Sequence, residues 1–326
     1  MLKTELLPDK VIKYLDDDFE TLNLEKYYRI DDPYDKPNDV VLMIPEETSV
    51  PFDVEITGGK DGFTFSRLTD KKDIRLTNLH VGTEYTIKYS DKNGVYEEKF
   101  YTSERLPRMI NAEGLYNVRD VGGYAAENGK RIVFDKLYRG SEMNLCFDHG
   151  VQITEKGVKT LVEDLGVKTD IDLRNEEECC GITKSPLGEK INYFRLPVLG
   201  YMSIFEERFN KTLYDIFTLL SERKNYPAYL HCWAGADRTG TVITILKAFL
   251  GVSYEDICRD HEISTFSIFG LRGRCNKEFT YVEVFEHLRK TYPAETLQKS
   301  AERYLMEKVG LTEKTLDEIK NILLEK

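Results

Sequence analysis

Between Asp39 and Thr102 apolar and polar residues alternate in five short runs: Asp39–Ile44, Phe52–Thr57, Asp73–Leu79, Thr83–Ser90 and Val95–Thr102. A period of two, rich in β-branched and aromatic residues, is the pattern of half-buried strands. Asp91-Lys92-Asn93-Gly94 separates the last two runs and reads as a hairpin turn. Short strands at this spacing predict a small all-β sandwich over residues 38–104. Ahead of it, Val11, Ile12 and Leu15 predict one short helix in an otherwise irregular, acidic segment, residues 1–37.

Past a linker at Ser103–Pro107 the period changes. The apolar run Ala228–Leu230 predicts the end of a buried strand, and Val242, Ile245, Leu246 and Phe249 stand at helical spacing within Thr239–Leu250. Further strands are expected at Asn192–Leu196 and in the stretch that Asp172 and Arg174 end. The stripes Tyr281, Val284, Phe285, Leu288 and Leu311, Leu316, Ile319, Leu323 predict amphipathic helices whose apolar sides are packing faces. Residues 105–326 are therefore expected to form an α/β domain, a central sheet flanked by helices.

Composition adds bounds. The 326 residues suffice for two cores, with 41% hydrophobic residues. The net charge of -11 disfavours unaided docking on nucleic acid or anionic lipid. No apolar run approaches the roughly 18 residues of a membrane helix, and Met1 to Lys26 lacks the apolar centre of a signal peptide. The six cysteines, at 146, 179, 180, 232, 258 and 275, show no C-x2-C pairing. Adjacent Cys179 and Cys180 read as two ordinary buried thiols, and a reducing cytoplasm is the expected location, or export were a leader to precede the chain.

The chemistry concentrates in His231-Cys232-Trp233-Ala234-Gly235-Ala236-Asp237-Arg238-Thr239-Gly240. The predicted strand before it and helix after it make this a strand-to-helix turn. The N–H groups of Trp233, Ala234, Gly235 and Ala236 can curl around one anion, with the positive helix end aimed at the same place. A cysteine ringed by such dipoles beside an arginine titrates well below the usual value of about 8.5. Cys232 is accordingly read as a nucleophile, and Arg238 as a bidentate holder of two phosphoryl oxygens. Thr239 is expected to donate its hydroxyl to the sulfur, and His231 to brace the loop. A metal half-site at His231-Cys232 lacks a second pair at ligand spacing, and a plain core cysteine has no need of Asp237, Arg238 and Thr239.

This stretch resembles the HC-x5-R signature of the protein tyrosine phosphatase superfamily, and its Asp-Arg-Thr-Gly ending resembles the bacterial tyrosine/serine phosphatase family, whose loop reads HCxAGKDRTG. Asn117-Val118-Arg119-Asp120-Val121-Gly122-Gly123-Tyr124, Lys136-Leu137-Tyr138-Arg139-Gly140-Ser141 and Asp170-Ile171-Asp172-Leu173-Arg174 are similar to further blocks of that family. So are Gly251-Val252-Ser253 with Asp256, Ile257 and Asp260, and the stretch from Tyr304-Leu305 to Gly310-Leu311-Thr312. The resemblance implies hydrolysis of a phosphorylated protein or small phosphomonoester through a phosphocysteine, without metal or other cofactor. Leu79-His80-Val81-Gly82-Thr83-Glu84-Tyr85 resembles the L-x-P-x-T-x-Y corner of fibronectin type III domains, with Tyr85 a structural residue. The role of that β-domain stays open.

Two departures bear on specificity and mechanism. Ala236 stands where the family has lysine, which removes a point charge suited to a second phosphate; Arg272, Arg274 and Lys277 offer either a basic rim or a solvated turn. The loop Pro197–Ser203, where many cysteine phosphatases carry an acidic proton donor, has no carboxylate. Asp237 is taken as that donor, holding the loop being its structural alternative, and Glu206 and Glu207 as solvent-side residues of a lid helix. Asp172 and Arg174 are read as loop supports, Arg119 and Asp120 as residues fixing the Gly122-Gly123 turn. A phosphoinositide or inositol phosphate phosphatase, a non-catalytic phosphate-recognition module and a sulfurtransferase are the alternatives, the last disfavoured by the Cys232-to-Arg238 spacing.

Overall fold

A computed structural model describes residues 3–28, 33–59, 63–144, 150–274 and 280–326. Cys146, Cys275 and Lys277 lie outside them. Twelve strands among the described residues, in chain order, are β1 Lys3–Thr4, β2 Val40–Met43, β3 Phe52–Gly58, β4 Phe63–Thr69, β5 Asp73–Leu76, β6 Glu84–Asp91, β7 Gly94–Thr102, β8 Arg119–Asp120, β9 Leu137–Gly140, β10 Thr169–Asp172, β11 Asn192–Arg195 and β12 Ala228–His231.

The alternating runs of the first third build two sheets. One has the order β1-β7-β6-β3-β4, the other pairs β2 with β5. Their inward residues, among them Phe52, Val54, Ile56, Ile74, Leu76, Tyr85 and Ile87, share one core. The β6–β7 turn closes with Asp91 opposite Gly94, and the Asp91 carboxylate accepts the Asn93 and Gly94 N–H groups at 2.7 and 3.2 Å. Tyr85 buries its ring and accepts the His80 N–H on its hydroxyl at 2.9 Å. Strand β4 is not among the expected runs. It is an edge strand held by pairing with β3 from Phe52↔Thr69 to Gly58↔Phe63, and Leu68 is 65% exposed, so pairing rather than burial defines it.

The N-terminal segment is not a free lead-in. Helix α1 (Asp9–Asp16) forms where Val11, Ile12 and Leu15 predict it. Leu6 enters the β core, while Leu7, Val11 and Tyr14 pack with Met109, Ile263 and Phe266 of the second unit.

The second unit is a five-stranded sheet of order β11-β10-β12-β9-β8, parallel except for β8 against β9. Around it lie α2 (Glu155–Lys159), α3 (Asn210–Leu220), α4 (Asp237–Phe249), α5 (Tyr254–Glu262), α6 (Val282–Thr291), α7 (Leu297–Glu307) and α8 (Glu313–Leu323). Strands β9, β10 and β12 are buried at every residue, as central parallel strands covered on both faces must be. Every residue of α4 from Thr239 to Phe249 is also buried. The expected stripes on α6 and α8 face inward, with Val284, Phe285, Leu288, Leu316, Ile319 and Leu323 in the core.

Register then places the site. Asp172 of β10 pairs with His231 of β12, and His231 with Gly140 of β9. Three carboxyl-terminal strand ends thus lie side by side at one sheet edge, where open α/β sheets bind ligands.

The two units touch through polar contacts. Arg108 donates to the Asn78 carbonyl at 2.8 Å and pairs with Asp120 at 3.2 Å, and His80 Nε2 lies 2.9 Å from Asp135. The expected pair of buried thiols is corrected: Cys179 is buried and free, but Cys180 is exposed and disulfide-bonded. The backbone at Cys180 is left-handed, φ 48°, and closes the short 3₁₀ turn that contains Cys179. No described helix is long and apolar enough to cross a membrane, and no described cluster of three or more His, Cys, Asp or Glu side chains could hold a metal ion.

Candidate functional site

The turn after β12 is shaped by what its carbonyls bind. The Trp233 carbonyl accepts the Glu142 N–H at 2.9 Å, the Ala234 carbonyl accepts Asn117 Nδ2 at 3.1 Å, and the Gly235 carbonyl accepts Arg139 Nη2 at 2.8 Å. Three successive carbonyls are engaged by neighbouring elements, which leaves the intervening N–H groups to the other side of the turn, the arrangement of an anion nest. Gly235 has φ +65°, and a Cβ there would lie 2.2 Å from the Gly140 backbone. Only glycine permits this approach of loop to β9.

Cys232 lies at the root of the nest, 1% exposed. His231 behind it is buried, with Nε2 2.9 Å from Asp170 Oδ1 and Nδ1 3.2 Å from the Cys232 carbonyl. Burial would lower its pKa, but the Asp172 and Asp170 carboxylates outweigh burial and raise it. Its two ring nitrogens thus tie the start of the loop to β10 and to the Cys232 carbonyl. Thr239 Oγ1 is buried without a hydrogen-bond partner among the described residues. The expected hydroxyl-to-sulfur bond is therefore not formed in this structure.

Arg238 is held by Glu178. Its Nη1 and Nη2 reach the two Glu178 oxygens at 2.6 and 2.8 Å. This pairing takes the outer edge of the guanidinium and leaves the Nε edge able to grip two anionic oxygens. Glu178 is fixed in turn by reciprocal 3.0 Å bonds with Asn175. Its carboxyl is held below the usual range: burial would raise it, but Arg238 dominates.

Asp172 and Arg174 form a buried ion pair linked through Glu142 to the turn. Arg174 Nε and Nη2 meet the Asp172 oxygens at 2.9 and 2.7 Å, and its Nη1 pairs with Glu142, whose N–H holds the Trp233 carbonyl. Burial pushes the Glu142 carboxyl up to about 7 despite that arginine. Asp120 fixes the glycine turn as expected, accepting the Gly122 N–H at 2.8 Å. Arg119 does something else. It joins Arg139 and Lys247 around Asp260, at 3.1, 3.1 and 3.2 Å.

Asp237 opens α4 and is 24% exposed. It accepts from the Tyr201 hydroxyl and from Arg272 Nε at 2.6 Å and Nη2 at 3.2 Å. Glu206 and Glu207 are exposed, Glu206 between two 3₁₀ turns and Glu207 at the start of the second, rather than on one lid helix; the chain at Glu206 is extended and cannot continue a helix. The basic rim is also corrected. Arg272 is spent on Asp237 and Arg274 on Glu262 at 2.9 Å. Trp233 is half-buried against Phe269, ring centroids 5.8 Å apart.

Sequence reasoning assigned no role to Glu142 or Glu178, none to Asn117, Arg139 or Asp260 beyond their places in matched blocks, and read Arg272 only as part of a basic rim or solvated turn. A signal was present for Arg139: an arginine inside the apolar run Leu137-Tyr138 of a buried strand demands a buried partner. None existed for Glu178, one of three glutamates in a row.

A profile described as the tyrosine phosphatase family matches residues 110–325. A protein of Cupriavidus necator bearing the provisional name tyrosine-protein phosphatase is 26% identical over 175 residues, 45% of this chain and 59% of that protein. The chain thus spans less than two thirds of that relative. The core catalytic domain of the PP-IP phosphatase SIW14 from S. cerevisiae, in complex with citrate, matches 53% of this chain and 89% of its own at 14% identity and a TM-score of 0.32.

Proposed function

Since the chain belongs to the tyrosine phosphatase family, we propose that it hydrolyses phosphomonoesters through a phosphocysteine on Cys232, with phosphotyrosine in protein as the leading substrate class and dual specificity within reach. The observation that carries this reading is the turn after Cys232, whose three successive carbonyls are bonded away to neighbouring elements, together with Arg238 anchored end-on by Glu178. In the first step Sγ attacks phosphorus in line as the P–O ester bond breaks. The nest and Arg238 hold the equatorial oxygens as charge spreads. Asp237 gives its proton to the leaving oxygen. In the second step Asp237 takes a proton from water, which attacks phosphorus and releases the cysteine.

The phosphoinositide alternative is weakened by charge pairing. Arg272 and Arg274 are already neutralised by internal carboxylates, and Ala236 is a small buried residue. We also infer that the β-unit is of the fibronectin type III kind, supported by two facing sheets and the Tyr85 hydroxyl bonded at the His80 N–H. The Cys180 disulfide fits an oxidising compartment better than a reducing cytoplasm.

Turnover of a phosphotyrosine peptide, a phosphoserine peptide and a set of inositol phosphates, in EDTA, tests the substrate class. Phosphotyrosine is expected to show the highest kcat/KM; preference for inositol phosphates would overturn that order. Absence of any turnover would favour a phosphate-recognition module. Glu178→Gln is expected to lower kcat/KM for an aryl phosphate by about tenfold or more, since charge-assisted hydrogen bonds contribute roughly 1.5–3 kcal/mol each. Steady-state kinetics on the folded variant reads this directly.

A further inference from the structure

The residue expected to give a proton is held in a setting built for its ionised form. Both Asp237 oxygens are occupied, Oδ1 by the Tyr201 hydroxyl and Arg272 Nε, Oδ2 by Arg272 Nη2. Arg272 is not a loose side chain. Its Nη1 donates to the Phe269 and Leu271 carbonyls at 3.1 Å each, and its own N–H to Thr265 Oγ1 at 3.0 Å.

Tyr201 is placed with equal care. It has φ 55°, a region aromatic residues seldom enter, and such conformations persist where the surroundings over-determine them. Its N–H donates to Thr241 Oγ1 at 2.8 Å, and that hydroxyl donates to the Asp237 carbonyl at 2.8 Å. A Cβ on Gly200 would meet the Asp237 backbone at 3.1–3.3 Å. The loop without a carboxylate is thus docked on the first turn of α4, and what it delivers there is a hydroxyl.

The other ionisable groups that act on Asp237 or on its two partners are His261 of α5, and Arg238 and Cys232 of its own loop. His261 is buried and held neutral, its pKa pulled down to about 3 by burial and the Arg139 charge. For Asp237 itself burial would raise the pKa, but Arg272, with help from Tyr201, lowers it. An ionised carboxylate suits the second step, where it accepts a proton from water. It cannot serve the first.

We propose that Arg272 and Tyr201 are positioning residues that keep Asp237 ionised in the empty site, and that an arriving phosphoryl dianion converts it to the acid by drawing one proton onto it. Neither residue needs to touch the phosphoryl group. The physical ground is charge: Glu178 already offsets Arg238 and Asp237 already offsets Arg272, so a dianion enters a site without net positive charge from its arginines. A like charge at close range raises a carboxyl pKa by one to several units. The proton then passes to the leaving oxygen as the P–O bond breaks, which restores the carboxylate for the second step.

This rests on the reading of Asp237 as the proton donor, and two measurements separate the claims. Sulfate, a dianion with no proton to give near neutrality, is titrated into Cys232→Ser protein at pH 6.5 by calorimetry in buffers of different ionisation enthalpy. Uptake of about one proton per sulfate is expected, abolished when Asp237→Asn is added; no uptake in the parent overturns the proposal. The pH profile of kcat/KM for an aryl phosphate gives the second. Arg272→Gln is expected to move the alkaline limb upward by at least one pH unit, and Tyr201→Phe by a smaller amount, since each removes support from the ionised form. A uniform loss of rate with an unmoved limb in both variants assigns them a merely structural role and overturns the clamp. Should Asp237→Asn itself keep the wild-type limb, the donor reading fails, and the clamp with it; if that limb disappears while the other two variants leave it in place, only the clamp fails.

Discussion

Cys232→Ser is expected to lower kcat for an aryl phosphate by about 10⁴-fold or more, the scale on which removal of a nucleophile acts in cysteine and serine enzymes. The same protein should still bind phosphate. The substitution exchanges sulfur for oxygen at a buried position and leaves untouched the three outward carbonyl bonds that shape the nest. Arg238 keeps its Glu178 anchor and its Nε edge. Phosphate should therefore raise the melting temperature of wild type and variant alike, by the increment that ligand concentration over Kd sets. Arg238→Lys should behave in the opposite sense. A lysine is a point charge on a flexible stem and cannot grip two oxygens while satisfying Glu178, so both phosphate affinity and kcat should fall, kcat by about 10²–10³-fold as for loss of one oxyanion donor. Retained turnover in Cys232→Ser would show that another group performs the attack.

What the sequence made legible follows from where the information lies. Cys232, Arg238 and the turn between them are contiguous, so spacing alone places them on a strand-to-helix loop, and β12 and α4 form there within a residue or two of expectation. The alternating runs gave five of the β-unit strands, because each has one face in a core. Edge strand β4 was missed because its alternation ends in Arg67 and exposed Leu68. The supports of the site were illegible for a different reason. Glu178 meets Arg238 across 60 positions and Asp260 meets Arg119 across 141; no local pattern records a contact that only sheet order creates. The same holds for Arg272. Its neighbourhood in sequence is basic and reads as a rim, yet in space its partner is a carboxylate 35 positions away.

Asp260→Asn is expected to cost about 3–5 kcal/mol of stability, the range for breaking a buried ion pair from one side, and to lower the melting temperature by on the order of 10 °C. Asp260 is 2% exposed, and Arg119, Arg139 and Lys247 converge on it, with the Tyr124 hydroxyl 3.2 Å away. Asparagine keeps the shape but leaves those cations buried without an anion. One of them has an escape. Burial already pulls Lys247 down to about 8, so in the variant it can give up its proton near neutrality, which limits the loss. Lys247→Met in the Asp260→Asn background should accordingly restore part of the stability, a coupling that a double-mutant cycle measures. The pH dependence has a definite sign. Burial would raise the Asp260 pKa, but Lys247, Arg119 and Arg139 hold it well below the usual carboxylate range. Its folded value thus lies under the unfolded value of about 3.9, so its contribution is complete above about pH 4 and is lost as pH falls further. Wild type should lose melting temperature below about pH 4 more steeply than Asp260→Asn. The link to function runs through Arg139, which spans Asp260 and the Gly235 carbonyl: with that arginine slackened, one of the three carbonyls that shape the nest is released. Phosphate affinity of the variant, measured well below its melting temperature, should fall even though Asp260 lies behind the loop.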